Sequence, residues 1–281
     1  MTTTPAGING LVLNTVFTQY VGSPNLRELV RKGWMKDINY VDIGIDQRKK
    51  EKLESLEGTD EAGDYIASDT TRMMDTSEEV ERLYQAYLKH VEGKRGIVCA
   101  ISPKHAKHIE ECYNRHGVKA AIGLDPETME GRQQMENLRN GILKVVVVIR
   151  YFSDEIRCPD VDFVQLACPT RILSTYLQQV ECGMWKDWRS VDHSVMVLDH
   201  VGAKEKFGLP TDERDWKKLF EEEKQEGVVK KRTRKVVAEK KEEPVVANHA
   251  AAKWQMRMQR LLGGGESERA VKEEMKEETG M

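Results

Sequence analysis

Few residues in this chain are spaced for chemistry. His105 and His108 stand one helical turn apart and could share a metal ion. No cluster of cysteines or carboxylates joins them in the sequence, so both are expected to face solvent, and no metal site is expected. Asp154 and Glu155 are adjacent acids. Adjacent side chains usually point apart, which describes a solvated loop better than a catalytic pair. Cys182 follows Glu181 rather than a cation, so nothing lowers its thiol pKa, and an inert thiol is expected. Met184, Trp185 and Trp188 form an apolar group that suits a stacking or partner surface and equally suits packing under a strand. The run KKRTRK at 230–235 could neutralise phosphates or serve as a localisation signal, yet its acidic flanks favour a solvated charge run. No GxxxxGK[ST] occurs, so the sequence lacks the glycine loop, lysine and hydroxyl that cradle nucleotide phosphates and Mg²⁺.

Bulk properties narrow the classes further. Charged residues make up 32% of the 281-residue chain, above the globular norm, so part of it is expected to be exposed tail. The net charge of -3 averages basic and acidic blocks and does not by itself announce a nucleic-acid binder. The five cysteines (Cys99, Cys112, Cys158, Cys168 and Cys182) are odd in number, lack CxxC spacing and sit mostly in apolar runs. That pattern suits reduced, buried thiols. No apolar run is long enough to span a bilayer, and the N-terminus lacks a signal-peptide pattern. A soluble, cytoplasmic chain is expected.

The elements that would position these residues follow a clear rhythm from Thr76 onward. Thr76 or Ser77 can cap a helix to about Val91, with Val80, Leu83, Tyr87 and Val91 on its apolar face. GIVCAI (96–101) reads as a strand buried on both faces, and Pro103 opens a helix ending near Gly117. VKAAIG (118–123) is a strand, followed by a helix from Pro126 with Met129, Met135 and Leu138 inward, closed by Gly141. KVVVVI (144–149) and VDFVQLAC (161–168) are strands, 172–180 a helix, and HSVMVLDHV (193–201) the last strand. Strands and helices alternating in this way predict βαβ units and a parallel sheet, with helices on both faces. Its ligands are expected at the carboxyl ends of the strands, after Ile101, Gly123, Ile149 and Cys168. Before this block, Leu26, Leu29 and Val30 have helical spacing up to Gly33, and INYVDIGI reads as a short strand. Residues 46–75 read as a linker or a poorly packed insertion. Residues 217–281 read as a charged appendage, partly helical and partly disordered.

Several stretches from Gly96 to Trp216 occur in an order that resembles the C-terminal RecA-like domain of superfamily 2 helicases, of the DEAD/DEAH or restriction-subunit type. GIVCAISPKHAKHI resembles motif IV. SDEIRCPDVDFVQLACPTRILSTYLQQVECG resembles motif V, the next strand and motif VI in one register. The N-terminal TTTP with Asn9-Gly10 is similar to motif III, and the following segment is similar to the connection between two motor domains. The resemblance implies four regions. Residues 1–45 would be a remnant of motif III and the inter-domain segment, 46–75 a linker or insertion, 76–216 the RecA-like domain, and 217–281 the charged tail.

The resemblance also implies roles. Motif VI in this family carries arginines that stabilise charge on the transferred phosphoryl group. Here Gln178, Gln179 and Gly183 stand, but Cys182 and Trp185 hold the arginine positions, and neither offers a positive fork. In the motif V stretch, Glu155 replaces a glycine and Arg157 replaces an aspartate. Contacts to nucleic acid are implied for Ser102, His105, Arg132, Ser153 and Thr170. The expectation is a DNA- or RNA-binding helicase domain with no catalytic residue set intact, no intrinsic cofactor and no membrane association. ATP and Mg²⁺ would enter only with a partner chain supplying the first motor domain. The other readings are the second half of a split ATP-dependent helicase completed in trans by such a chain, and an interaction scaffold working through the charged tail.

Overall fold

The computed structural model describes residues 21–22, 24–60, 62–123, 128–149, 161–186 and 194–222. Six strands form one parallel sheet: β1 (Asp37–Asp42), β2 (Gly96–Ala100), β3 (Ala120–Ile122), β4 (Val145–Ile149), β5 (Phe163–Leu166) and β6 (Ser194–Asp199). Their order across the sheet is β1-β6-β5-β2-β4-β3, and every neighbouring pair is parallel. Nine helices are described: α1 (Leu26–Arg31), α2 (Gln47–Glu54), α3 (Ala67–Met74), α4 (Ser77–Val91), α5 (Pro103–Arg115), α6 (Met129–Arg139), α7 (Leu173–Met184), α8 (Ala203–Phe207) and α9 (Trp216–Glu222). The architecture is α/β and RecA-like.

The central strands are apolar throughout because both of their faces are covered. Alternate residues serve opposite layers. Ile97, Cys99, Val146, Val148, Val164, Leu166, Val195 and Val197 pack with α7, α3 and Leu138 of α6. Val98, Ala100, Val145, Val147, Phe163 and Leu198 pack with α4 and α5. Local chemistry sets the helix starts. Thr76, Ser102 and Thr128 each cap α4, α5 and α6 by accepting a backbone N–H from three residues on. Gly96 lies beside Phe163 in the register, and a Cβ there would collide with the aromatic ring, so the β2–β5 pairing demands a glycine.

Four expectations are corrected. Residues 46–75 are neither a linker nor poorly packed: they form α2 and α3 and bury Leu53, Tyr65, Met73 and Met74 in the core. Their polar sequence conceals this because the apolar residues sit at irregular spacing. The strand INYVDIGI is an edge strand of the same sheet, so residue 76 marks no structural boundary. Nor does residue 217, because α9 continues to Glu222 and buries Phe220. Met129, expected inward, is 79% exposed, since it is the first residue of α6 rather than an interior one.

Candidate functional site at the two edges of the sheet

At the carboxyl edge, the connections leaving β2 and β5 run in opposite directions: β2 leads by way of α5 to β3, and β5 leads by way of α7 to β6. In open α/β sheets this switch point is the usual ligand crevice. Here the segment 64–75 lies over it. The Thr71 hydroxyl donates to Ser102 Oγ at 3.0 Å, and Ser102 Oγ also accepts from His105 N at 3.3 Å. The buried Asp64 carboxylate accepts from Thr170 Oγ1 at 2.5 Å, from Arg171 N at 2.7 Å and from Tyr65 N at 2.7 Å. Thr170 Oγ1 in turn accepts from Ile172 N at 3.0 Å, at the start of α7. Two side chains expected at a ligand surface, Ser102 and Thr170, are thus engaged by the segment read as a linker.

Asp64→Ala removes an acceptor from three donors in a buried place. Unpaired buried donors cost about 1–3 kcal/mol each, and part of that cost is relieved by water. The expected loss is roughly 2–4 kcal/mol in urea unfolding. Asp64→Asn, which keeps the shape and most of the acceptors, is expected to lose about half as much or less. Equal stabilities for the two variants would show that the carboxylate does not hold this segment.

The two buried histidines at this edge are fixed as neutral rings. His105 is 1% exposed, which overturns its expected place in solvent. Its Nδ1 accepts from Ile101 N at 3.3 Å, and Nε2 has no hydrogen-bond partner among the described residues. Burial pushes its pKa down from 6.5 to about 4. His108 is half-exposed and pairs with Asp75 at 2.7 Å. His200, at the end of β6, is also 1% exposed. Gln165 Nε2 donates to Leu83 O at 2.8 Å and to His200 Nε2 at 2.8 Å, while Gln165 Oε1 accepts from Tyr113 O–H at 2.7 Å. Arg82 closes the group by donating to Gly44 O at 3.0 Å and His200 O at 3.2 Å while paired with Glu79 at 2.9 Å. Burial, with Arg82 as a lesser cause, pushes the His200 pKa down to about 3.

The motif VI stretch lies at the opposite edge. Helix α7 starts at the carboxyl end of β5 and runs back, so its last turn stands over the first residues of β5 and β6. A Cβ on Gly183 would lie 2.5 Å from Val164 Cγ2, 3.1 Å from Val195 Cγ2 and 3.4 Å from Val161 Cγ2. Lys36 locks the end of the helix: its N–H donates to Met184 O at 2.8 Å and its fully buried ammonium donates to Val161 O at 3.0 Å. Cys182 is 3% exposed and its thiol donates to Gln179 O at 3.0 Å. Gln179 is buried with no partner on Nε2 among the described residues, Gln178 is half-buried, and Trp185 is half-buried at the helix end. Arg132 is exposed in the first turn of α6. Ser153, Glu155, Arg157 and Trp188, the run at 230–235 and the tail beyond 222 lie outside the described residues.

No family model matches the chain. It is 30% identical over 139 residues to a 51.5 kDa protein of a Lactococcus phage, covering 49% of this chain and 30% of that protein. It is 20% identical over 195 residues to the candidate ATP-dependent helicase IRC3 of Saccharomyces cerevisiae, covering 68% of this chain and 27% of that one. The chain therefore spans about a third of the curated relatives it matches. Among solved structures it is similar to a fragment of a candidate HsdR subunit of a Vibrio vulnificus type I restriction enzyme, with a TM-score of 0.49 and 14% identity over 69% of this chain and 38% of that one. It is also similar to T4 UvsW, with a TM-score of 0.41 and 15% identity over 58% of this chain and 32% of that one.

Within this domain, residues that a linear reading passes over hold the carboxyl edge: Asp64, Thr71, Arg82, Tyr113 and Gln165. The one available signal was Gln165, a polar residue in the middle of the apolar run VDFVQLAC. Among the described residues no helix is long and apolar enough to cross a membrane.

Proposed function

We propose that the chain is a helicase C-terminal domain that binds nucleic acid along the carboxyl edge of its sheet and does not hydrolyse ATP by itself. The observation that carries the binding is a row of cations. Each of four helices that follow a strand at this edge has an exposed cation in its first turn: Arg48 in α2 after β1, Lys104 in α5 after β2, Arg132 in α6 after β3 and Lys204 in α8 after β6. Given the strand order, they extend from one border of the sheet to the other, roughly 24 Å at the usual strand spacing. The first turn of a helix disfavours positive charge by about 0.3–1 kcal/mol, and an anionic backbone lying along this edge would offset that.

The second half of the proposal rests on what occupies motif VI. The buried Cys182 thiol is spent on Gln179 O, and no guanidinium stands at that position or at Trp185. The sequence also contains no phosphate loop. The test is anisotropy with labelled single-stranded DNA and RNA at ~50–200 mM salt, alongside phosphate release. Binding is expected to weaken steeply with salt. Replacing Arg48, Lys104, Arg132 and Lys204 by Gln should flatten the log–log salt slope by up to about 3, at roughly 0.7 per phosphate contact on a single strand. No binding at the lowest salt removes the nucleic-acid reading. Phosphate release by this chain alone removes the second half. Release only after a chain carrying a phosphate loop is added favours a motor completed in trans.

A further inference from the structure

We propose that Glu81, Cys112 and His116 form a binding site for one zinc-class divalent cation that clamps α4 to α5. The three ligand atoms lie within 4.8 Å of one another. Cys112 and His116 are four residues apart, on one face of α5 and its C-terminal cap, the spacing at which a helix presents two ligands to one ion. Glu81 comes from the neighbouring α4.

Two of the three separations match those of a tetrahedral zinc site, and the third lies within 4.8 Å. Zinc takes sulfur at about 2.3 Å and nitrogen or oxygen at about 2.0–2.2 Å, so tetrahedral ligands stand about 3.3–3.6 Å apart. Glu81 Oε2 is 3.1 Å from His116 Nε2 and 3.6 Å from Cys112 Sγ. The surroundings hold the ligands in place. Gln85 Nε2 donates to Glu81 Oε1 at 2.9 Å, which leaves Oε2 to face the other two. The Tyr84 ring stacks on the imidazole with centroids 3.9 Å apart and planes 6° from parallel. Such supporting contacts commonly orient metal ligands. Cys112 is buried, whereas the Glu81 and His116 side chains are 39% and 33% exposed, giving an ion a route in and a water a fourth position.

A thiolate, an imidazole and one carboxylate select zinc or a similar borderline ion over Mg²⁺ or Ca²⁺, which need oxygen ligands. On binding, the Cys112 S–H bond breaks, its proton passes to solvent, and the sulfur electron pair bonds the metal. His116 coordinates through neutral Nε2 with its proton on Nδ1. The ligand set then carries two negative charges against the two positive charges of the ion. Without an ion, the same groups are a hydrogen-bonded trio joining two helices, and the experiment separates these states.

The full chain, reduced and treated with chelator, is titrated with Co²⁺ and then with Zn²⁺. One equivalent of Co²⁺ should give visible tetrahedral bands with a near-ultraviolet sulfur-to-metal charge-transfer band, and Zn²⁺ should displace them and raise Tm. Cys112→Ser should lose the charge-transfer band. Glu81→Gln, a half-exposed and isosteric change that spares folding, should weaken binding by about tenfold or more. The proposal is overturned by failure to bind near one equivalent, by a charge-transfer band that persists in the folded C112S protein, or by unchanged affinity in E81Q. If C112S does not fold, E81Q decides.

Discussion

Stability is expected to fall as pH drops below about 6.5, well before the carboxylates titrate, because two buried histidines must stay neutral in the fold. Their pKa values are depressed from 6.5 to about 4 for His105 and about 3 for His200, with burial the leading cause in both. The unfolded chain takes up these protons near pH 6.5 and the folded chain does not. Stability is therefore complete above about pH 6.5 and declines as pH falls, until His105 protonates in the fold near pH 4 and His200 near pH 3. The geometry gives the same sign independently. Each ring accepts a hydrogen bond, His105 Nδ1 from Ile101 N and His200 Nε2 from Gln165 Nε2, so protonation sets two donors against each other. At about 1.4 kcal/mol per unit, the pair can remove several kcal/mol, a large part of an ordinary domain's stability of about 5–15 kcal/mol. Urea midpoints measured from pH 8 down to 4 should show this slope. His105→Asn with His200→Gln keeps an acceptor near each site without the titration. The double variant should flatten the slope, and an unchanged slope would assign the acid sensitivity elsewhere.

Gly183→Ala is expected to destabilise the protein by about 2–3 kcal/mol, although the same change inside an exposed helix stabilises by up to about 1 kcal/mol. The new methyl would meet Val164 Cγ2 at 2.5 Å, with Val195 and Val161 close behind. All three valines are buried, Val164 in β5, Val195 in β6 and Val161 just before β5. Helix α7 would have to lift from the sheet and strain the Lys36 N–H bond to Met184 O. Thermal unfolding of G183A and of G183A with Val164→Ala checks this. The double variant should recover part of the loss, because the second change vacates the space the first one needs. A stabilising G183A would mean that the helix end is not clamped. The result also bears on function: packing alone accounts for Gly183, so this glycine says nothing about ATP chemistry.

Much of this was legible in the sequence. Runs such as GIVCA and VVVVI, with no polar partner face, have to be strands covered on both sides, and capping residues such as Thr76 and Ser102 mark helix starts with no reference to tertiary contacts. Their alternation fixes a parallel α/β sheet, because only crossover helices connect parallel neighbours. The candidate sites were less legible. His105 and Thr170 carry polar side chains that a linear reading sends to solvent, yet one accepts from Ile101 N and the other donates to Asp64, 106 residues away.

By itself the sequence determined the strands and helices, the parallel sheet, the missing phosphate loop, and the cysteine and tryptophan where the resemblance implies arginines. These depend on side-chain type and on spacing within one element. The tertiary structure alone decided that residues 64–75 lie over the switch-point crevice, that motif VI ends at the edge opposite the row of cations, and that Glu81 meets Cys112 and His116. Each joins residues from separate elements, and their approach is set by strand order and helix packing, which carry no signal within any one stretch of chain.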